Sequence, residues 1–127
     1  MTAVELRVAA RLENLALMRT LVGALGTYSD LDFDAVADLR LAVDEACTRL
    51  IRLAVPEGVL VVVLDQRDDA VVVDVSVDVA NDSGVIEVVG QGSFSWHVLS
   101  SLTDDLRTFH RDHRVGISMT RRAGAER

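Results

Sequence analysis

Glu45 and Arg49 are the residues of this chain whose types and spacing most readily support chemistry. Four positions apart on a helix, a carboxylate and a guanidinium share one face, and glutamate before arginine is the favourable order, worth about 0.3–0.5 kcal/mol when exposed. Taken alone, the pair reads as a surface ion pair. Cys47, one residue beyond Ala46 on the buried side of the same helix, reads as an inert core thiol rather than a nucleophile. His110-Arg111-Asp112 copies the tripeptide of an ordinary protein kinase catalytic loop, but the downstream asparagine and the strand lysine are missing, so the match is chance. His110 and His113 sit in a short polar stretch with no further histidine or cysteine nearby, and no structural metal is expected there.

Lysine is absent from the chain, so all 13 basic residues are arginines. That removes the phosphate-binding loop that needs its lysine, the ordinary kinase fold and Schiff-base catalysis. The 20 acidic residues leave a net charge of -7, which opposes a phosphate backbone or an anionic membrane. Direct nucleic-acid or membrane binding is therefore not expected. A chain of 127 residues fits one domain, expected over 1–121, with a mobile tail over 122–127 that carries no apolar anchor. Only 4% of residues are aromatic, so the core must be built from Val, Leu and Ala. With one cysteine, no leader, and Val59 to Leu64 as the longest apolar run, far below the ~18 residues of a membrane span, the expected compartment is the cytoplasm.

These side chains need elements to position them. Val4, Leu6 and Val8 alternate with Glu5 and Arg7, which predicts a first strand over 3–10. Leu15, Met18, Val22 and Leu25 recur at helical spacing, giving a helix over 13–25 that Gly26 ends. Asp30 and Asp32 offer caps to a second helix whose stripe of Val36, Leu39, Val43, Ala46, Leu50 and Ala54 stops at Pro56 and Gly58. The Val36/Val43/Leu50 stripe points roughly opposite Glu45 and Arg49. Val59–Leu64 and Val71–Val79 read as adjacent antiparallel strands, with Asp74, Ser76 and Asp78 facing outward. Ser93 can cap a third helix that carries Val98, Leu99, Leu102 and Leu106 and ends near Asp105. Two short strands, 107–110 and 115–121, then close a hairpin around a turn at 111–114. The order predicts an α+β two-layer sandwich: a mostly antiparallel, mixed sheet with three helices on one face.

Leu41-Ala42-Val43-Asp44-Glu45-Ala46-Cys47-Thr48 resembles the signature helix of the Bergerat-type (GHKL) ATPases, specifically the RsbW-type anti-sigma-factor serine kinases and, among these, the actinobacterial anti-sigma-F branch. The likeness covers nearly the whole domain, including Leu99-Ser100-Ser101-Leu102-Thr103-Asp104-Asp105. It implies a Bergerat fold, a site for ATP with magnesium, and Glu45 as general base toward a hydroxyl that attacks the terminal phosphate. The family's magnesium-binding asparagine falls on Arg49, and a guanidinium has no acceptor for a cation, although it can still contact phosphate. The adenine-binding aspartate matches Asp78, with Ala80 and Asp82 replacing the glycines, or in a later register Asp82, with Gly84 retained. The other reading, an outward Asp78 and an ordinary turn at Asp82-Ser83-Gly84, stays open. Gly90-Gln91-Gly92 supplies the spaced glycines that open a phosphate-receiving helix. Counting back from Leu102 instead puts Ser93 and Ser95 on those glycine positions.

The resemblance also places Arg19 where relatives dock both a sigma factor and its antagonist, beside the plain reading of a solvated surface arginine. It implies an anti-sigma factor of the stress type, released by a STAS-type anti-anti-sigma partner, and a homodimer for which the first strand is an exposed edge. Arg49 and the altered glycines favour a binding module with a degenerate ATP site over an active serine kinase. An ATP-hydrolysing histidine-kinase-type domain is a further alternative, against which stand the short lid and the lack of an attached dimerisation segment. A structural or small-ligand α+β domain, with Glu45 and Arg49 merely paired, is the remaining one.

Overall fold

The structure, a computed structural model, describes residues 2–25, 31–80 and 92–123. Asp32 sets the start of the long helix: its backbone is extended, and its Oδ1 accepts from the Ala35 N–H at 2.8 Å. The helix that follows, α2 (Phe33–Leu53), carries Asp34 in its first turn and Arg52 in its last, both matched to the helix dipole. It ends where Ala54 becomes extended, two residues before Pro56. Leu39, Ala42, Val43, Ala46 and Leu50 are buried along one side. Each large apolar side chain so buried contributes about 1.5–3 kcal/mol.

Ahead of α2 lie β1 (Thr2–Ala9), a 3-10 turn (Leu12–Asn14) and α1 (Leu15–Leu25), so the first helix begins two residues later than its periodicity predicts. Strands β2 (Val59–Gln66) and β3 (Ala70–Asp78) follow, then α3 (Phe94–Leu102), β4 (Asp105–Arg111) and β5 (Arg114–Arg122). The sheet order is β1-β2-β3-β5-β4, and all four pairings are antiparallel, so the mixed sheet expected from sequence is wholly antiparallel among the described residues. Leu60, Val62 and Leu64 of β2 join Val71, Val73, Val75 and Val77 of β3 and Val115, Ile117 and Met119 of β5 in one core with α1, α2 and α3. Val72, Asp74, Ser76 and Asp78 alternate to the opposite face.

The C-terminal third departs most from expectation. α3 stops at Leu102 rather than near Asp105, because Thr103 turns extended and its Oγ1 donates to the Leu99 carbonyl. Asp104 then joins the sheet through its N–H to the Thr120 carbonyl. The closing strands are seven and nine residues long, not short, and only Asp112 and His113 separate them. Asp112, at φ 53°, supplies the left-handed backbone of that tight turn. Arg122 pairs with Ala70, and the Ala123 N–H donates to the Asp69 carbonyl at 2.8 Å, so the sheet runs past the predicted end of the domain. The Arg122 N–H donates to Asp104 Oδ2, and Ala123 packs its methyl against the core, so the expectation of a tail from 122 without an apolar anchor is corrected at these two residues. The remaining tail, 124–127, lies outside the described residues, as does Gly26.

Candidate functional site

The site is built where the middle of α2 meets the first turn of α3. Ser93 opens α3 as its N-cap, its Oγ accepting from the Trp96 N–H at 3.1 Å. That cap turns Ser95 inward, where it is 3% exposed. The Ser95 Oγ donates to Glu45 Oε2 at 2.7 Å, and Arg49 Nε donates to the same oxygen at 2.8 Å. Two donors, one from the next turn of the same helix and one fifty residues away, therefore converge on one carboxylate oxygen. Burial alone would raise the Glu45 pKa, but the hydrogen bonds from Arg49 and Ser95, with the charges of Arg49 and Arg52, outweigh it and hold the carboxyl below its ordinary 4.5. Glu45 is thus an ionised, engaged carboxylate, and the depressed pKa makes it a weaker proton acceptor.

This geometry has a consequence for acid stability. A carboxyl whose pKa is lower folded than unfolded contributes stability that is fully present above 4.5 and is lost as pH falls through the folded value. Chemical denaturation from pH 7 down to about 3 should show Glu45→Gln less stable than the parent at neutral pH, with the gap closing below 4.5. A gap that persists unchanged in acid would mean the charged network contributes nothing.

Neither Asp78 nor Arg19 joins this cluster. Asp78 closes β3 on the face away from the helices, where Oδ1 accepts from Arg114 Nη1 at 2.6 Å and Oδ2 from the Val59 N–H at 3.1 Å. Arg114 also donates through Nη2 to the carbonyls of Val59 and Ser76, so it staples β2, β3 and β5 together. Both Asp78 oxygens are engaged within the sheet, and its outward side is the one that strand alternation predicts. Arg19 on α1 reaches across to α2, its Nε donating to Asp44 Oδ1 at 2.8 Å. Gly92 is described and exposed, and its φ of 97° suits a glycine, yet nothing lies within 4 Å of where a Cβ would stand. Its left-handed backbone serves the turn into α3. Asp82, Gly84 and Gly90 lie outside the described residues. Cys47 is fully buried, and burial pushes its thiol up to about 12, which suits an inert core residue.

The residues present do not fit a divalent cation. Arg49 has no acceptor to offer, Glu45 Oε2 is already bonded twice, and the described residues contain no group of three or more His, Cys, Asp or Glu placed to hold a metal. No helix among them is long and apolar enough to cross a membrane.

Comparison with known proteins follows the same lines. The histidine kinase-like ATPase domain matches residues 8–121. The chain belongs to that family. Within the family it is 60% identical, over 97% of its length and 75% of the relative's, to the protein named anti-sigma-F factor RsbW of Mycobacterium tuberculosis. It is 24% identical, over 93% of its length and 83% of the relative's, to the serine-protein kinase RsbW of Bacillus cereus. The crystal structure of the RsbU and RsbW domains of an M. tuberculosis protein superimposes with a TM-score of 0.71 at 16% identity, which establishes the fold. That match covers 96% of this chain and 32% of the other. The RsbW-type resemblance read from Leu41–Thr48, the three helices and the antiparallel sheet all agree with these relatives.

Ser95 as a partner of Glu45 was not readable from sequence, where it figured only as a substitute for a glycine. Its inward position, two residues after a capping serine, was the one available signal. Arg114 gave none, because its partners are brought to it by strand pairing.

Proposed function

We propose that this chain is an anti-sigma factor: it binds an alternative, stress-type sigma factor of RNA polymerase, holds it inactive, and releases it when an anti-anti-sigma protein of the STAS type competes. Identity of 60% with an anti-sigma-F factor across almost the whole chain carries the reading. The net charge of -7 suits a basic, DNA-binding sigma domain as target. It acts in the cytoplasm and as a homodimer, for which β1, an edge of the described sheet, is available.

Release in this reading comes from competition rather than phosphorylation. The engagement of Glu45 by Arg49 and Ser95 supports this, because the carboxylate is spent on a structural contact and the metal-ligand position holds a cation. A second reading, an active serine kinase that phosphorylates the antagonist with Glu45 as base, is favoured by the ionised state of Glu45 and by the Bacillus kinase relative. Co-purification with candidate sigma factors, with and without ATP, followed by a phosphotransfer assay on the antagonist, separates the two. Capture should be independent of ATP, and the antagonist should displace the sigma factor without acquiring phosphate. Phosphate appearing on an antagonist serine, and abolished by Glu45→Ala, would establish the kinase instead.

A further inference from the structure

Along the flank of α3 that faces β4, Trp96, Ser100, Thr103, Asp104, Asp105 and Leu106 line a crevice of ≈ 190 Å³. Ser95 turns from the same helix toward α2, so this crevice is separate from the Glu45 cluster. Its lining holds an indole, a leucine, two carboxylates and two hydroxyls, but no basic side chain. Neither carboxylate is sealed in. Asp105 pairs with Arg107 at 2.8 Å in an exposed bridge that an incoming cation can exchange with, and Asp104 Oδ2 accepts from a neutral donor, the Arg122 N–H. The last turn of α3 also lacks the basic residue that would balance its dipole. Negative charge thus gathers beside one aromatic ring.

We propose that this crevice receives an arginine side chain of the captured sigma factor, an assignment that rests on the anti-sigma reading and adds to it a contact on the α3–β4 side of the domain. A divalent metal does not suit the lining, since two carboxylates make too small a ligand set among the described residues and an indole offers no acceptor. An aliphatic side chain does not suit it either, because the carboxylates would lose water without gaining a partner. A guanidinium meets each part of the lining: its plane stacks on the Trp96 ring, its fork of N–H donors reaches the carboxylates, and its aliphatic stem lies against Leu106. A lysine could reach one carboxylate but would neither stack nor bridge the pair. The net charge of -7 draws a basic domain in without orienting it, and one arginine seated here fixes the orientation.

The chain has a single tryptophan, so fluorine-labelled tryptophan in the whole protein gives one fluorine NMR resonance, placed at the crevice, while unlabelled sigma factor stays silent. Saturation with the sigma factor that the chain captures should shift that resonance, and Asp104→Asn combined with Asp105→Asn should weaken capture about tenfold. Asparagine keeps an acceptor for the Arg122 N–H, so the join to the sheet survives the change. Asp68→Asn combined with Asp69→Asn is the control: it removes the same charge from the exposed turn between β2 and β3 and should leave affinity within about twofold. An unmoved resonance at saturation, or crevice and control variants that bind equally, would overturn the inference and leave the anti-sigma reading intact. A resonance moved by arginine amide but not by the sigma factor would give the crevice to a small organic cation and overturn it as well. Failure of the parent to capture any sigma factor would overturn both readings.

Discussion

Gly116→Ala should unfold this domain about 8–12 °C below the parent, a loss of about 2–3 kcal/mol from one added methyl group. Gly116 lies in β5 opposite Phe109 of β4, and its Cβ would collide with the tip of the Phe109 ring and stand 2.5 Å from the Val75 carbonyl oxygen of β3. Folded proteins essentially never hold a Cβ contact under 3.0 Å. The ring can swing away, but the carbonyl belongs to the neighbouring strand, and Val75 and Ile117 pair in the adjacent register position. Relief therefore requires β3 and β5 to separate at the centre of the sheet. The ring has its own reason to stay, since it covers the bare glycine backbone and carries the Arg111 guanidinium 5.5 Å from its centroid. Thermal melts of Gly116→Ala, Phe109→Ala and the double variant apportion the cost. The double variant should recover only the ring's share and remain well below Phe109→Ala alone. Full recovery would show that the strand spacing yields freely.

What the sequence disclosed and what it withheld divide along the range of the interactions. α2 was legible nearly to the residue, because its cap at Asp32, its stripe through Leu39 and Leu50, and its stop before Pro56 all act within a few positions. The outward side of Asp78 was legible as well, since strand alternation fixes it once Val77 and Val79 face the core. The length of β5 was not, because Arg122 is held through its N–H to Asp104 Oδ2 and Ala123 through its N–H to the Asp69 carbonyl, bonds that apolar periodicity does not report. The contact that defines the candidate site was equally hidden. Glu45 and Arg49 announce themselves by spacing, but the hydroxyl that completes the cluster comes from Ser95, and only the packing of α3 on α2 brings it there. Arg19 shows the same limit: its type was noted, whereas its bond to Asp44 joins two helices 25 positions apart.

Arg49→Asn tests whether that cluster is a structural remnant or a single step from a working nucleotide site. The substitution removes the guanidinium that occupies Glu45 Oε2 and puts a carbonyl oxygen, an acceptor, four residues after the carboxylate. Stability should fall only modestly, by about 0.5–1 kcal/mol, because the lost pair is partly exposed and Ser95 still donates to Glu45. The Glu45 carboxyl should titrate higher than in the parent, since the Arg49 hydrogen bond and charge help to hold it down. Nucleotide binding carries the decisive readout. If Arg49 is what keeps a divalent cation out, titration with ATP in magnesium should show at least about tenfold tighter binding than in the parent, and chelation should abolish the gain. Equal affinity in the two proteins, with and without chelator, would move the defect to the altered glycine positions at Ser93 and Ser95, whose side chains cap α3 and hold Glu45. The combined change of Arg49→Asn with Ser95→Gly would then free the carboxylate of both donors, and only a site lost elsewhere would remain silent.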